Sequence, residues 1–106
     1  MNERKVIKWI GLAKIIVLND SNILDGAKHA YTNVLGLARN KSEFRNEVTR
    51  KLDSMDLKLI RLEAAEPLTV RKNKFKVANE ILEIAKRLSF DTNRIEFSTF
   101  HTYSKD

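Results

Sequence analysis

Two histidines and fourteen acidic residues are the side chains of this sequence that could act as acids, bases or metal ligands. Neither His29 nor His101 has carboxylates at a metal-ligand spacing beside it, and the acidic residues form no helical i,i+3 metal motif. The chain has no Cys, no Gly-rich phosphate loop and no G-x-S-x-G nucleophile motif. We therefore expect a protein without catalytic activity, metal or cofactor.

Basic residues are the second group that could take part in binding, and they are unevenly distributed. Residues 1–88 hold 18 Lys and Arg against 11 Asp and Glu, whereas residues 89–106 hold two against three. Four cations cluster at Arg71, Lys72, Lys74 and Lys76. A basic body favours nucleic acid, anionic lipid headgroups or an acidic protein surface as a partner, and a net charge of +6 also serves solubility.

The C-terminal segment RIEFSTFHTYSKD differs in composition from the rest of the chain. It holds three of the eight aromatic residues and almost no net charge. Such a segment can cover the core, because a small domain needs every apolar residue, or it can form a contact patch. We expect Ile95 and Phe97 to pack on the body, and Phe100 and Tyr103 to lie nearer the surface.

Apolar residues recur at three- and four-residue steps through most of the chain, which predicts helices. Asn40 followed by Glu43 predicts a capping box at the start of the third helix, and Pro67 predicts its end near Ala65. Residues 68–76 stay open between a loop, a hairpin and a helix extension. The predicted helices are residues 3–18, 22–39, 41–65 and 77–89, followed by an irregular tail over 90–106.

Four amphipathic helices joined by short links predict an all-α fold, an antiparallel four-helix bundle. At 106 residues the chain is predicted to form one domain, residues 1–106. The apolar run from Trp9 to Asn19 is too short to span a membrane, and no small-x-small cleavage site follows it. The absence of Cys fits a cytoplasmic protein.

The segment NKFKVANEILEIAKRLSFDTNRIEF, Asn73 to Phe97, resembles the C-terminal half of immunity proteins to class IIa (pediocin-like) bacteriocins. Asn73-Lys74-Phe75 is similar to the connection before the fourth helix of that family. Arg94 to Tyr103 is similar to the irregular terminal segment, and LND at Leu18 to Asp20 is similar to the end of the first helix.

This resemblance implies a non-catalytic, cytoplasmic four-helix bundle that protects a producer cell from its own bacteriocin. It implies binding to a membrane receptor complex of the mannose phosphotransferase type with bound bacteriocin, with weak association at the inner membrane face. The predicted partner-binding residues are Arg71, Lys72, Lys74, Lys76, Arg94, Phe97, Phe100, His101 and Tyr103.

The alternative function is a small basic DNA-associated or phage-type regulator. Residues 35–52, LGLARNKSEFRNEVTRKL, loosely match a helix-turn-helix, with Arg45, Arg50 and Lys51 on the second helix. The basic cluster at residues 71–76 could contact phosphate.

Overall fold

The computed structural model describes residues 5–18, 24 and 26–103. Its strands are β1 (Ile7–Val17), β2 (His29–Ala38), β3 (Leu57–Pro67), β4 (Ile95–Phe97) and β5 (His101–Tyr103). Its helices are α1 (Lys41–Asp53), α2 (Leu68–Lys74) and α3 (Asn79–Arg87). The predicted all-α four-helix bundle is therefore wrong, because the chain forms an antiparallel five-stranded sheet with three short helices.

The sheet has the strand order β3-β1-β2-β4, and β5 pairs with β2 at the other end of that strand from β4. β1 is central, and it pairs with β2 on one side and with β3 on the other. β2 and β3 flank β1 and are joined through α1, so the three strands and the helix form a split β-α-β unit.

The helices predicted over residues 3–18 and 22–39 are wrong, because these segments contain strands β1 and β2. β1 buries side chains on both of its faces. Trp9, Ala13 and Ile15 point to the side that α1 covers, whereas Ile10 points to the opposite side. A strand buried on both faces shows a continuous apolar run, which satisfies a helical period as well as an alternating one.

Helix α1 closes the main core with three fully buried side chains, those of Phe44, Val48 and Leu52. The Trp9 ring stacks on Phe44 with 6.0 Å between the ring centroids. The Trp9 indole Nε1–H donates to the carbonyl oxygen of Ala38 at 3.1 Å. These contacts fix the helix against β1 and β2.

The predicted N-cap at Asn40 is confirmed, whereas the returning hydrogen bond of the capping box comes from Arg39 instead of Asn40. The Asn40 side chain accepts a hydrogen bond from the Glu43 backbone N–H at 2.8 Å, and the Glu43 carboxylate accepts from the Arg39 backbone N–H at 2.8 Å. The predicted extension to residue 65 is wrong, because α1 ends at Asp53 and Asp56 turns the chain with a φ of 58°.

β3 follows this turn and pairs with β1 through two irregularities. Lys14 lies opposite Arg61 and Ile15 opposite Leu59, which leaves Ile60 as an extra residue. The second irregularity contains Ala64 in the left-handed region, with a φ of 52°. Bulges of this kind are typical of edge strands and discourage further strand pairing.

Helices α2 and α3 pack on the sheet face opposite α1. Four of their side chains cover Ile10 and Leu35 near one end of the sheet, namely those of Leu68, Ile81, Ile84 and Ala85. α3 lies within the helix predicted over 77–89, and residues 68–74, left open by the sequence, form α2.

The predicted irregular tail contains β4 and β5 and completes the sheet beside β2. Ile95 is buried and Phe97 packs against the main core, as expected from the sequence. Phe100 is also partly buried, with its ring centroid 5.9 Å from that of Phe97. The tail thus contributes strands and core contacts.

Among the described residues, no helix has the length and the apolar character needed to cross a membrane.

Candidate functional site

Half of the sheet face opposite α1 is left uncovered by the helices of the described chain. We call this half the open face, and it carries Lys14, Ile16, His29, Tyr31, Lys58, Arg61, Glu63 and His101. It lies beyond the Ile10–Leu35 end of the sheet, where α2 and α3 pack. Lys58, Arg61 and His101 are exposed on this face, whereas Lys14, Ile16, His29 and Tyr31 are partly buried.

One row of side chains crosses the open face from β3 to β5. Arg61 lies opposite Lys14, Lys14 opposite Tyr31, and Tyr31 opposite His101. Directly opposed residues in a sheet share a face, and neighbouring strands lie about 4.8 Å apart. The row, which we call the cross-strand row, therefore places two cations and two aromatic rings along about 14 Å.

The contacts within this row orient its side chains. The Lys14 Nζ lies 5.7 Å from the centroid of the Tyr31 ring, within the range of a cation–π interaction. Arg61 Nε lies 2.8 Å from Glu63 Oε2, and the Arg61 side chain is 59% exposed. Arg61 is thus paired with Glu63 while more than half of its side-chain surface is exposed.

The open face continues into a groove of about 460 Å³ between the sheet and the α2–α3 connection. Ile10 and Leu12 of β1 form its floor together with Ile81 of α3. The other lining residues are Asn33, Ala64, Glu66, Arg71, Lys74, Phe75, Lys76, Val77 and Ala78. Three cations and one carboxylate therefore surround an apolar floor.

Glu66 organises the cations on one wall of the groove. Its carboxylate pairs with Lys74 Nζ at 2.6 Å and also with the Arg71 guanidinium. Arg71 Nη2 donates in addition to the carbonyl oxygen of Ala64 at 2.8 Å. The hydrogen bonds from Lys74 and then from Arg71 lower the pKa of Glu66 below its usual range, so the carboxylate stays ionised.

Four of the residues predicted for partner binding lie on this connected surface. The structure brings Arg71, Lys74 and Lys76 together at the groove and places His101 in the cross-strand row. Lys72 lies on the other side of α2, in a second groove with Ile7 and Lys8.

Of the remaining predicted residues, three lie away from this surface: Arg94, Phe97 and Phe100. Arg94 covers the Phe90 ring at 3.9 Å and lies 3.7 Å from Glu47 of α1. Phe97 and Phe100 pack on the α1 side of the sheet. Tyr103 pairs with His29 through its backbone.

Three central residues of the open face, Lys14, Tyr31 and Arg61, are absent from the predicted set. Each lies on a strand that the sequence predicted as part of a helix. Lys14 shares its side of β1 with Ile10, Leu12 and Ile16, so alternation along this strand indicates no polar face. The proximity of Lys14 and Tyr31 to Arg61 depends on pairing between distant segments, which no local signal indicates.

The site offers charge and aromatic surface. The described residues contain no group of three or more His, Cys, Asp or Glu side chains that could hold a metal ion. Cations, aromatic rings and an apolar groove can bind an elongated anion with flat apolar parts. Comparisons of the chain with models of protein families, with curated proteins and with solved structures find no match.

Proposed function

We propose that this protein binds single-stranded nucleic acid across the open face. The observation that carries the proposal is the cross-strand row, in which Arg61, Lys14, Tyr31 and His101 lie side by side on the sheet face opposite α1, beyond the part that α2 and α3 cover. The net charge of +6 supports it, since it attracts a polyanion at long range.

The two kinds of side chain match the two parts of a nucleic acid strand. Lys and Arg neutralise phosphates and release condensed counterions, which supplies most of the affinity of sequence-independent binding. Aromatic rings stack on the flat faces of bases, at about 1–3 kcal/mol per base. The cross-strand row offers both within about 14 Å.

A single strand fits this surface better than a duplex does. Stacking on Tyr31 requires bases whose faces are not already covered by neighbouring base pairs. The alternative helix-turn-helix interpretation of residues 35–52 is wrong, because this segment spans the end of β2 and helix α1.

Replacement of the two cations of the cross-strand row tests the proposal. In Lys14→Gln/Arg61→Gln, we expect the affinity for fluorescein-labelled dT12 or U12 to fall about 10- to 30-fold, at about 1 kcal/mol per cation beside an anionic surface. The slope of log Kobs against log[salt] should fall by about 1.4, since each phosphate contact on a single strand contributes about 0.7. Fluorescence anisotropy at several salt concentrations measures both quantities.

Lys41→Gln/Arg45→Gln is the matched control, because it removes the same charge from exposed positions of α1 on the opposite side of the sheet. This control should keep most of the affinity. Equal losses in both variants, or no binding of the wild type in low salt, would contradict the proposal. Binding to anionic vesicles without binding to either oligonucleotide would assign the cations to lipid headgroups instead.

The bacteriocin-immunity function stays a prediction, as do its mannose phosphotransferase partner and its association with the inner membrane face. The four-helix bundle that the resemblance implies is wrong, and no feature of the open face favours a bacteriocin receptor over a nucleic acid. A cytoplasmic location goes with the nucleic-acid proposal and with the absence of Cys.

A further inference from the structure

We infer that the groove beside the open face holds one unstacked base of the bound strand, with Phe75 as its stacking partner. This inference rests on the proposed function and adds a second base-stacking contact to the one that Tyr31 offers in the cross-strand row. It predicts that one base stack of the total affinity depends on Phe75.

The groove has the size and lining of a pocket for a small organic group. Its volume of about 460 Å³ lies within the range of ligand pockets. Ile10 and Leu12 of the sheet and Ile81 of α3 give it an apolar lining, whereas its three cations belong to α2 and to the connection that follows α2. A flat heterocycle with a phosphate on either side matches this division, because the ring enters the apolar part and the phosphates stay near the cations.

Phe75 is an aromatic ring that the core does not use. It is 62% exposed, the largest exposure given for a large apolar side chain of the described chain. Helix α2 ends at this residue, and the Phe75 backbone N–H donates to the carbonyl oxygen of Arg71 at 2.9 Å. The ring is thus attached to a fixed helix end, and its exposed apolar surface gains from being covered.

Polar groups around the groove suit the rest of a nucleotide. Lys74 Nζ lies 6.0 Å from the centroid of the Phe75 ring, and Lys76 follows directly on the same wall. A phosphate flanking a base stacked on Phe75 would therefore meet two cations. Asn33 contributes an amide, which can both donate to and accept from a base edge.

The groove and the cross-strand row are continuous along two strands. Leu12 and Asn33 line the groove and lie opposite each other, two residues before Lys14 on β1 and two residues after Tyr31 on β2. Two residues of a strand span about 7 Å, so a strand of nucleic acid can leave the row and enter the groove without a gap.

Two substitutions and two ligands test this inference. We expect Phe75→Ala to lower the affinity for dT12 about 5- to 150-fold, the equivalent of one base stack, and Phe75→Trp to restore it. On an abasic 12-mer with the same phosphate backbone, Phe75→Ala should bind as well as the wild type does. Phe90→Ala is the matched control, since Phe90 is 44% exposed but lies under Arg94, outside the groove.

The outcomes separate the inference from the proposed function. If Phe75→Ala weakens the binding of dT12 and of the abasic strand alike, the base pocket is wrong while binding by the cross-strand row stands. If the wild type binds both strands equally, the base pocket and stacking on Tyr31 are both wrong, and only the phosphate contacts stand. If the wild type binds neither strand, the proposed function fails and the inference fails with it. A circular dichroism melt of each variant identifies a loss that comes from unfolding.

Discussion

At the scale of the residue, the Glu66 carboxylate reduces the positive charge of the groove. It pairs with both Lys74 and Arg71, and so it offsets part of the positive potential that a phosphate would meet. It also holds the two cations in defined positions on the groove wall. Glu66 therefore opposes nucleic-acid binding electrostatically while it orders the groove.

Glu66→Gln should bind dT12 more tightly than the wild type, by about two- to fivefold in low salt, because surface charge pairs contribute on this scale. The hydrogen bonds from Lys74 and Arg71 lower the pKa of Glu66 in the folded protein. The wild type therefore keeps the opposing charge at neutral pH. It should approach the affinity of the variant only as the pH falls below about 4.3, the ordinary value for Glu.

The lowered pKa of Glu66 also makes the stability of the protein depend on pH. A carboxylate whose folded pKa is lowered contributes stability above its unfolded pKa, and that contribution is lost as the pH falls through the folded pKa. The free energies of unfolding of the wild type and of Glu66→Gln, measured by urea denaturation, should thus differ most at neutral pH and converge in acid. Weaker binding by Glu66→Gln at neutral pH would contradict the electrostatic role.

At the scale of the element, the attachment of β4 depends on the lack of a side chain at Gly36 in β2. Gly36 lies opposite Ile95 of β4 and opposite Trp9 of β1. A Cβ at this position would lie 2.3 Å from Ile95 Cδ1, 3.0 Å from Phe44 Cε1 and 3.2 Å from the carbonyl oxygen of Arg94. The core, β2 and β4 meet at this point without room for a methyl group.

Gly36→Ala should lower the free energy of unfolding by about 1–3 kcal/mol, the usual cost of an added methyl group in a packed core. Urea denaturation followed by Trp9 fluorescence measures the change. Gly11→Ala is the comparison, because its nearest neighbour is the movable tip of Leu62 at 2.9 Å, with backbone atoms no closer than 3.5 Å. A smaller loss in Gly36→Ala than in Gly11→Ala would contradict the packing seen around β4.

Elements that depend on local interactions could be predicted from the sequence. The Asn40 N-cap marks the start of α1 correctly, because its side chain and the Glu43 backbone N–H lie within one turn. The amphipathic pattern of α3 is likewise contained in nine residues, and its buried side chains Ile81, Ile84 and Ala85 follow the three- and four-residue steps that predict a helix. Local chemistry is sufficient for these helices.

The strands could not be predicted in this way, because their burial is decided by partners far along the chain. Leu59 and Leu62 continue the spacing of Phe44, Val48 and Leu52, so the segment resembles one long helix in sequence. The chain nevertheless reverses at Asp56, between Leu52 and Leu59. Gly36 was a signal against the second helix, since Gly in a helix interior costs about 1 kcal/mol.

The residues of the candidate site show the same difference between local interactions and pairing of distant segments. Arg71, Lys74 and Lys76 could be predicted as a cluster because they are neighbours in sequence. Lys14, Tyr31 and Arg61 become neighbours only through the pairing of three strands.

At the scale of the whole molecule, cations occur on both sides of the sheet, so charge alone does not define the binding surface. Exposed cations of α1, such as Lys41 and Arg45, lie on one side, and the open face lies on the other. What distinguishes the open face is the combination of cations with Tyr31, His101 and the groove that ends at Phe75. The open face, and not the exposed face of α1, is therefore the proposed binding surface.

The most direct test of that claim is a titration of the ¹⁵N-labelled protein with unlabelled dT12, followed by amide chemical shifts. We expect the largest shifts at the cross-strand row and around the groove, with the exposed face of α1 unchanged. Shifts concentrated on α1, or no shifts at low salt, would contradict the assignment of the open face as the nucleic-acid binding surface.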